Sequence, residues 1–173
     1  IQPFVPGLQL GELWRAGDEP AWRAAGAALG RSLARLHERT WPRSGWLALG
    51  EEGALEVEPW EHLEGSEEDP LLAYVAQTLR GRAGERLGSE WRERCLKQVE
   101  RHRALTQGGL ARWIHGDLNP TNVLVGPEGQ LRALLDWEWC HAGTPLSDLG
   151  NLCRRRPTGG PPEPFVAAFA QAY

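Results

Sequence analysis

The chain contains no methionine, and Lys97 is its only lysine, against 19 Lys and Arg together. Without a methionine at its head, Ile1 is not expected to be a natural start. The scarcity of lysine says more. Arginine holds oxyanions through a flat fork and is a poor substitute for the compact ammonium of a phosphate-gripping lysine. Cysteine is also sparse. Cys95, Cys140 and Cys153 form no C-x-x-C pair, which argues against a structural zinc site or a disulfide framework and leaves buried free thiols. No apolar run approaches the roughly 18 residues that cross a bilayer, and the first residues show no signal-peptide pattern. A net charge of −4 excludes a basic arm for nucleic acid or a polybasic membrane patch. The expectation is a cytoplasmic protein with no nucleic-acid or membrane partner.

What is present is enough for a core. The 173 residues make one domain or part of one, with 41% hydrophobic content and nine Trp. Residues 1–10 read as extended chain broken by Pro3, Pro6 and Gly7. Asp18 followed by Pro20 signals a helix start, and Ala25, Leu29, Leu33 and Leu36 carry that helix to about His37. Trp41 to Gly65 reads as loop. Asp69-Pro70 opens a second helix with Leu72, Val75, Ala76 and Leu79 on one face. Ser89 is placed to cap a third, with Cys95 and Val99 inward and Gly108-Gly109 at its end. The pattern then changes. Asn122 to Val125 and Leu131 to Leu135 are β-like runs around the turn Gly126-Pro127-Glu128-Gly129, which predicts a hairpin. Leu146 to Cys153 suits a short helix, and Phe165, Phe169 and Ala172 suit a last one. The fold class is α+β, mostly helical, with one small hairpin.

The hairpin carries the chemistry. Asp117 precedes it, Asn122 stands five positions later at the start of its first strand, and Asp136 stands fourteen further on at the end of the returning strand. Antiparallel pairing sets the start of one strand beside the end of its partner, so Asn122 and Asp136 converge behind Asp117. Hard oxygen ligands in this order suit a Mg²⁺ that retains water and phosphate oxygens, and a hydroxyl steered onto a terminal phosphate.

The stretch His115-Gly116-Asp117-Leu118-Asn119-Pro120-Thr121-Asn122 resembles the catalytic loop of aminoglycoside phosphotransferases and choline-kinase-like enzymes. Leu135-Asp136-Trp137-Glu138 resembles their metal-binding segment, and Gly143-Thr144-Pro145-Leu146-Ser147-Asp148-Leu149-Gly150 their downstream G-x-P-x-x-D-L stretch. Leu33 to His37 with Gly45-Trp46-Leu47 is similar to the first helix of the family's larger lobe, and Gln2 to Gly7 to the hinge that enters it. The resemblance implies a protein-kinase-like C-terminal lobe over residues 11–173 behind a hinge-like segment at 1–10. It implies transfer of the γ-phosphate of ATP, with Mg²⁺, to a hydroxyl of a small molecule. Asp117 would accept or orient the hydroxyl proton, Asn122 and Asp136 would hold Mg²⁺, and Leu124 and Leu135 would floor the adenine slot. His115 and Asp148 would brace the loop, and Glu138 is a candidate contact for a cationic substrate.

One part of the family pattern has no counterpart. No glycine-rich phosphate loop with its strand lysine stands anywhere in the sequence, and Gly81-Arg82-Ala83-Gly84 falls in a helical stretch. The expectation is a larger lobe truncated at its N-terminus and perhaps at its C-terminus. The missing N-terminal lobe would pack on the hinge and hairpin side, and the 173 residues alone would be inactive. A non-catalytic substrate- or partner-binding lobe is therefore the alternative. A metal-dependent hydrolase using Asp117 and Asp136 ranks below both, because such sites recruit more ligands. The remaining polar features have ordinary readings. His37 and His102 read as surface or satisfied helix histidines, Cys140-His141 lacks further metal ligands, and Glu64, Glu67, Glu68 and Asp69 read as a solvated helix start.

Overall fold

A computed structural model of the chain describes residues 4–60, 70–105, 109–154 and 159–173. Asp69, the acidic run 64–69 and Gly108 lie outside the described residues, as do the first residues of the hinge-like segment. In chain order the elements are β1 (Leu8–Gln9), α1 (Leu10–Ala16), α2 (Glu19–Leu36), β2 (Thr40–Trp41), β3 (Gly45–Leu49), β4 (Leu55–Glu58), α3 (Pro70–Arg80) and α4 (Arg82–Arg101). They continue through a 3-10 turn (Arg103–Leu105), β5 (Ala111–Ile114), β6 (Val123–Val125) and β7 (Leu131–Leu134). A second 3-10 turn (Trp137–Trp139), β8 (His141–Gly143), α5 (Leu146–Cys153) and α6 (Glu163–Ala172) complete the chain. Helix dominates over short strands, the α+β class that the patterning predicts.

These elements gather into two compact units. One comprises residues 1–39, 112–141 and 145–173, and the other 40–111 and 142–144. In the first, α2 begins where the sequence places it: Asp18 Oδ1 accepts the Ala21 N–H at 3.0 Å. Its apolar stripe, Ala25, Leu29 and Leu33, is buried with Leu118, Val125 and Phe165 in a single core. The hairpin forms as β6 and β7, paired Val123↔Leu134 and Leu124↔Ala133 with an irregularity before Val125. Its turn closes through Gly126 N–H to the Gln130 carbonyl at 2.7 Å.

Two stretches are more ordered than their reading as extended chain and loop. Leu8 and Gln9 add a third strand to the hairpin, opposite Val125 and Leu124. Leu10 then opens α1, whose Leu10 and Leu13 enter the core, while the Glu12 carboxylate accepts the Gln9 N–H at 2.8 Å. Seven residues are too few for periodicity to register over the usual window of about 11–18. In the second unit, the stretch read as loop contains the antiparallel pair β3–β4, running from Trp46↔Glu58 to Leu49↔Leu55. Leu55-Glu56-Val57-Glu58 alternates at period two, and its burial follows the alternation. The surrounding Gly and Pro residues mask that signal. The third predicted helix begins close to Ser89: within Arg82–Arg101, Gly88 is non-helical with a φ of 77° and separates a short first segment from the helix that follows. Its half-buried positions beyond that break are Cys95 and Val99. Among the described residues no helix is long and apolar enough to cross a membrane.

Candidate functional site

The site begins where β5 ends. His115 is fully buried, and Gly116 turns the chain with a φ of 84°. A side chain at Gly116 would also collide with the Trp139 carbonyl oxygen, so only glycine fits. The turn presents Asp117, which is half-buried. Its Oδ2 accepts two side-chain amides, Asn119 Nδ2 at 3.1 Å and Asn122 Nδ2 at 3.0 Å. Among the described residues nothing donates to its other oxygen, Oδ1. Asn119 holds itself in place by an Asx turn, its Oδ1 accepting the Thr121 N–H at 2.9 Å.

Asn122 is buried, and its amide nitrogen is committed to Asp117 through both Oδ2 and the backbone carbonyl, each at 3.0 Å. Its side-chain oxygen is the end that remains for a ligand. The Leu135 N–H donates to the Asn122 carbonyl at 2.8 Å, which carries Asp136 to the same end of the hairpin. Asp136 is the single non-glycine residue with positive φ, 64°, among the described residues. Such a conformation costs about 1–3 kcal/mol and persists where the surroundings over-determine it. It leaves the carboxylate exposed. Leu124 and Leu135 sit on β6 and just after β7, partly exposed, and Glu138 is exposed on the 3-10 turn beyond.

One imidazole ties the halves of the site together. The Asp117 N–H donates to His115 Nδ1 at 3.3 Å, which makes Nε2 the protonated nitrogen, donating to the Leu135 carbonyl at 2.8 Å. Trp137 covers the ring at 4.5 Å and donates its own N–H to the Leu134 carbonyl at 2.9 Å. Behind the loop lies Asp148, buried in the first turn of α5. Its Oδ2 accepts the His115 N–H at 2.8 Å and its Oδ1 the Gly116 N–H at 2.9 Å.

Sequence reasoning passed over two residues that meet this constellation. Asn119 lies within the quoted loop, and the Asn-Pro-Thr sequence is itself a turn signal. His37 was expected at the surface or satisfied within its helix, yet it is buried against Asp148 at 3.3 Å. Nothing local marks it, since its partner lies 111 positions away. Cys140 and His141 gain no metal partners: among the described residues no three His, Cys, Asp or Glu converge. Burial pushes the Cys140 thiol up, against its own backbone hydrogen bond. Burial pushes His141 down, and the Trp139 carbonyl and the Asp148 charge only partly oppose it.

The arrangement offers one carboxylate oriented by two amides, with the Asn122 amide oxygen and the Asp136 carboxylate at the same end of the hairpin. The donors are hard oxygens of the kind that hold a divalent cation with most of its shell left to other ligands. A family model for the phosphotransferase enzyme family matches residues 1–173. Among solved structures, the chain is similar to an aminoglycoside-3'-phosphotransferase of type VIII, with 27% identity and a TM-score of 0.53. That match covers 98% of this chain and 58% of the other, so the chain spans little more than half the length of its structural relative. No match was found among curated proteins.

Proposed function

Because the chain belongs to the phosphotransferase enzyme family, we propose that it is the catalytic-loop lobe of an ATP-dependent kinase whose acceptor is a hydroxyl on a small molecule. The observation that carries this reading is the Asp117 carboxylate, with Oδ2 held by Asn119 and Asn122 and Oδ1 left for a ligand. A hydroxyl at Oδ1 would be aligned and relieved of its proton as its oxygen attacks phosphorus. The two amides fix the carboxylate in advance, so little reorganisation remains at the moment of transfer.

Asn122 Oδ1 and the Asp136 carboxylate are the groups that would hold Mg²⁺. Two hard-oxygen donors fit an ion that keeps waters and phosphate oxygens in its shell. When bound, Mg²⁺ neutralises charge that builds on the transferred group. Asp136 stands in a left-handed turn just past β7 with its side chain exposed, where a ligand can reach it. Leu124 and Leu135 supply apolar surface for the adenine ring. Glu138, exposed just past Asp136, is available to a cationic acceptor. His115 and Asp148 hold the loop and take no part in proton transfer. The phosphate-gripping groups come from a lobe that these 173 residues do not contain.

The test is ADP release by a protein carrying this sequence with that lobe, over a panel of small alcohols and amino sugars. Asp117→Asn should lower turnover by about 10²–10⁴-fold, the usual span for losing a general base, with the unfolding midpoint little changed. Undiminished transfer by Asp117→Asn sinks the reading. The alternative reading is a lobe that binds acceptor or partner without turnover. It predicts acceptor binding that Asp117→Asn leaves intact.

A further inference from the structure

The hydrogen bonds at Asp148 continue past the site. His37, the C-cap of α2, is only 3% exposed and touches two partners. Its Nε2 lies 3.3 Å from Asp148 Oδ2, and its Nδ1 lies 2.8 Å from the Tyr173 hydroxyl. With Nε2 protonated, the imidazole donates to the carboxylate and accepts from the phenol. The donors then run one way, from Tyr173 to His37 to Asp148, and each bond polarises the next. The backbone of His37 is held as well, its carbonyl accepting Arg112 Nη1 at 2.7 Å. The Tyr173 ring stands edge-on to His37 at 5.6 Å and stacks on Phe169 at 5.7 Å.

A buried histidine with matched nitrogens is the ordinary outcome of folding. Two features here go beyond it. Asp148 already has a backbone donor at each carboxylate oxygen, 2.8 and 2.9 Å away, before His37 adds a third. Tyr173 is 42% exposed, so its hydroxyl has water within reach, yet it is directed at the imidazole. The line of contacts ends on the two N–H groups of the turn that presents Asp117.

We propose that Tyr173 and His37 are positioning residues for Asp117: they fix the rotation of the Asp148 carboxylate, and through it the His115–Gly116 turn. The consequence for rate rests on the phosphotransfer reading above; the positioning itself does not. Small displacements of a reacting group are costly in rate, a 1 Å error reaching about a hundredfold.

Tyr173→Phe removes one oxygen and keeps both ring contacts. In the isotope-labelled 173-residue chain, the His115 and Gly116 amide resonances should shift and their protons exchange faster, while α4 amides stay in place. In the phosphotransfer assay kcat should fall on the order of tenfold, with KM for both substrates unchanged. His37→Gln keeps a nitrogen donor toward Asp148, so it should recover much of the amide pattern that His37→Ala loses. His115 and Gly116 amides unmoved by Tyr173→Phe overturn the proposal, and so does a loss that falls on KM alone. If the unsubstituted protein transfers no phosphate, the functional reading fails instead, and the amide measurement still decides the positioning.

Discussion

At the scale of single residues the site is organised by carboxylates with unequal surroundings. Asp148 is buried and accepts three N–H groups, from His115, Gly116 and His37. Asp136 is exposed in a left-handed conformation, and Asp117 stands between these extremes. Burial so complete makes Asp148 a structural anchor, because its partners have no water to turn to if it is removed. Asp148→Ala should destabilise the chain by about 3 kcal/mol, since each buried donor left unsatisfied costs about 1–3 kcal/mol. Urea unfolding would register this as a lower midpoint with an unchanged slope. A second residue-scale consequence concerns pH. Burial raises the Tyr173 phenol above its ordinary value, Asp148 adds to the rise and Arg112 opposes it. A raised value in the folded state means that the folded chain keeps its proton where the unfolded chain has lost it. This contribution to stability is therefore fully present below about pH 10 and is lost as pH rises through the folded value. Near-ultraviolet titration should show a late tyrosinate transition that disappears in Tyr173→Phe.

At the scale of elements, the docking of α6 on α2 depends on two glycines one helical turn apart. A methyl group at Gly30 would stand 2.6 Å from the Phe169 carbonyl oxygen, and one at Gly26 would collide with that of Phe165. The helices approach this closely because neither position carries a side chain. Alanine raises helix propensity by about 1 kcal/mol over glycine, but here the clash with backbone prevails. Gly30→Ala should cost about 1–3 kcal/mol by overpacking, seen as a lower thermal midpoint. The same displacement would carry Tyr173 away from His37, because both sit at the end of this helix pair.

At the scale of the whole molecule, the described residues form two units. The unit built from residues 1–39, 112–141 and 145–173 contains Asp117, Asn122, Asp136 and Asp148. In the other unit, Lys97 lies on helix α4, exposed and paired with Glu93 at 3.5 Å. It stands on no strand, unlike the phosphate-gripping lysine that the proposed function calls for. With 58% of its structural relative's length spanned, the chain should bind Mg-ATP only weakly, with a dissociation constant above about 1 mM, a gain of no more than about 4 kcal/mol. Calorimetry on the 173-residue chain measures this directly. Tight binding would show that the phosphates are held by groups within the chain.

Much of the local order set by near neighbours was legible. The Asp18 cap, the stripe on α2 and the β6–β7 hairpin each depend on residues a few positions apart, so spacing and residue type suffice to read them. So does the order of Asp117, Asn122 and Asp136, because a hairpin's geometry follows from its turn. The β3–β4 pair was encoded too, in the alternation of residues 55–58, but its Gly and Pro flanks outweighed it in the reading. Other features were decided only in three dimensions. The left-handed Asp136, the contact of Gly26 and Gly30 with α6, and the joining of His37 to Tyr173, 136 positions away, have no local signal. Sequence by itself determined which chemical groups stand in the loop around Asp117. Tertiary structure decided what holds them still, because a buried hydrogen bond selects its partner by packing and not by distance along the chain.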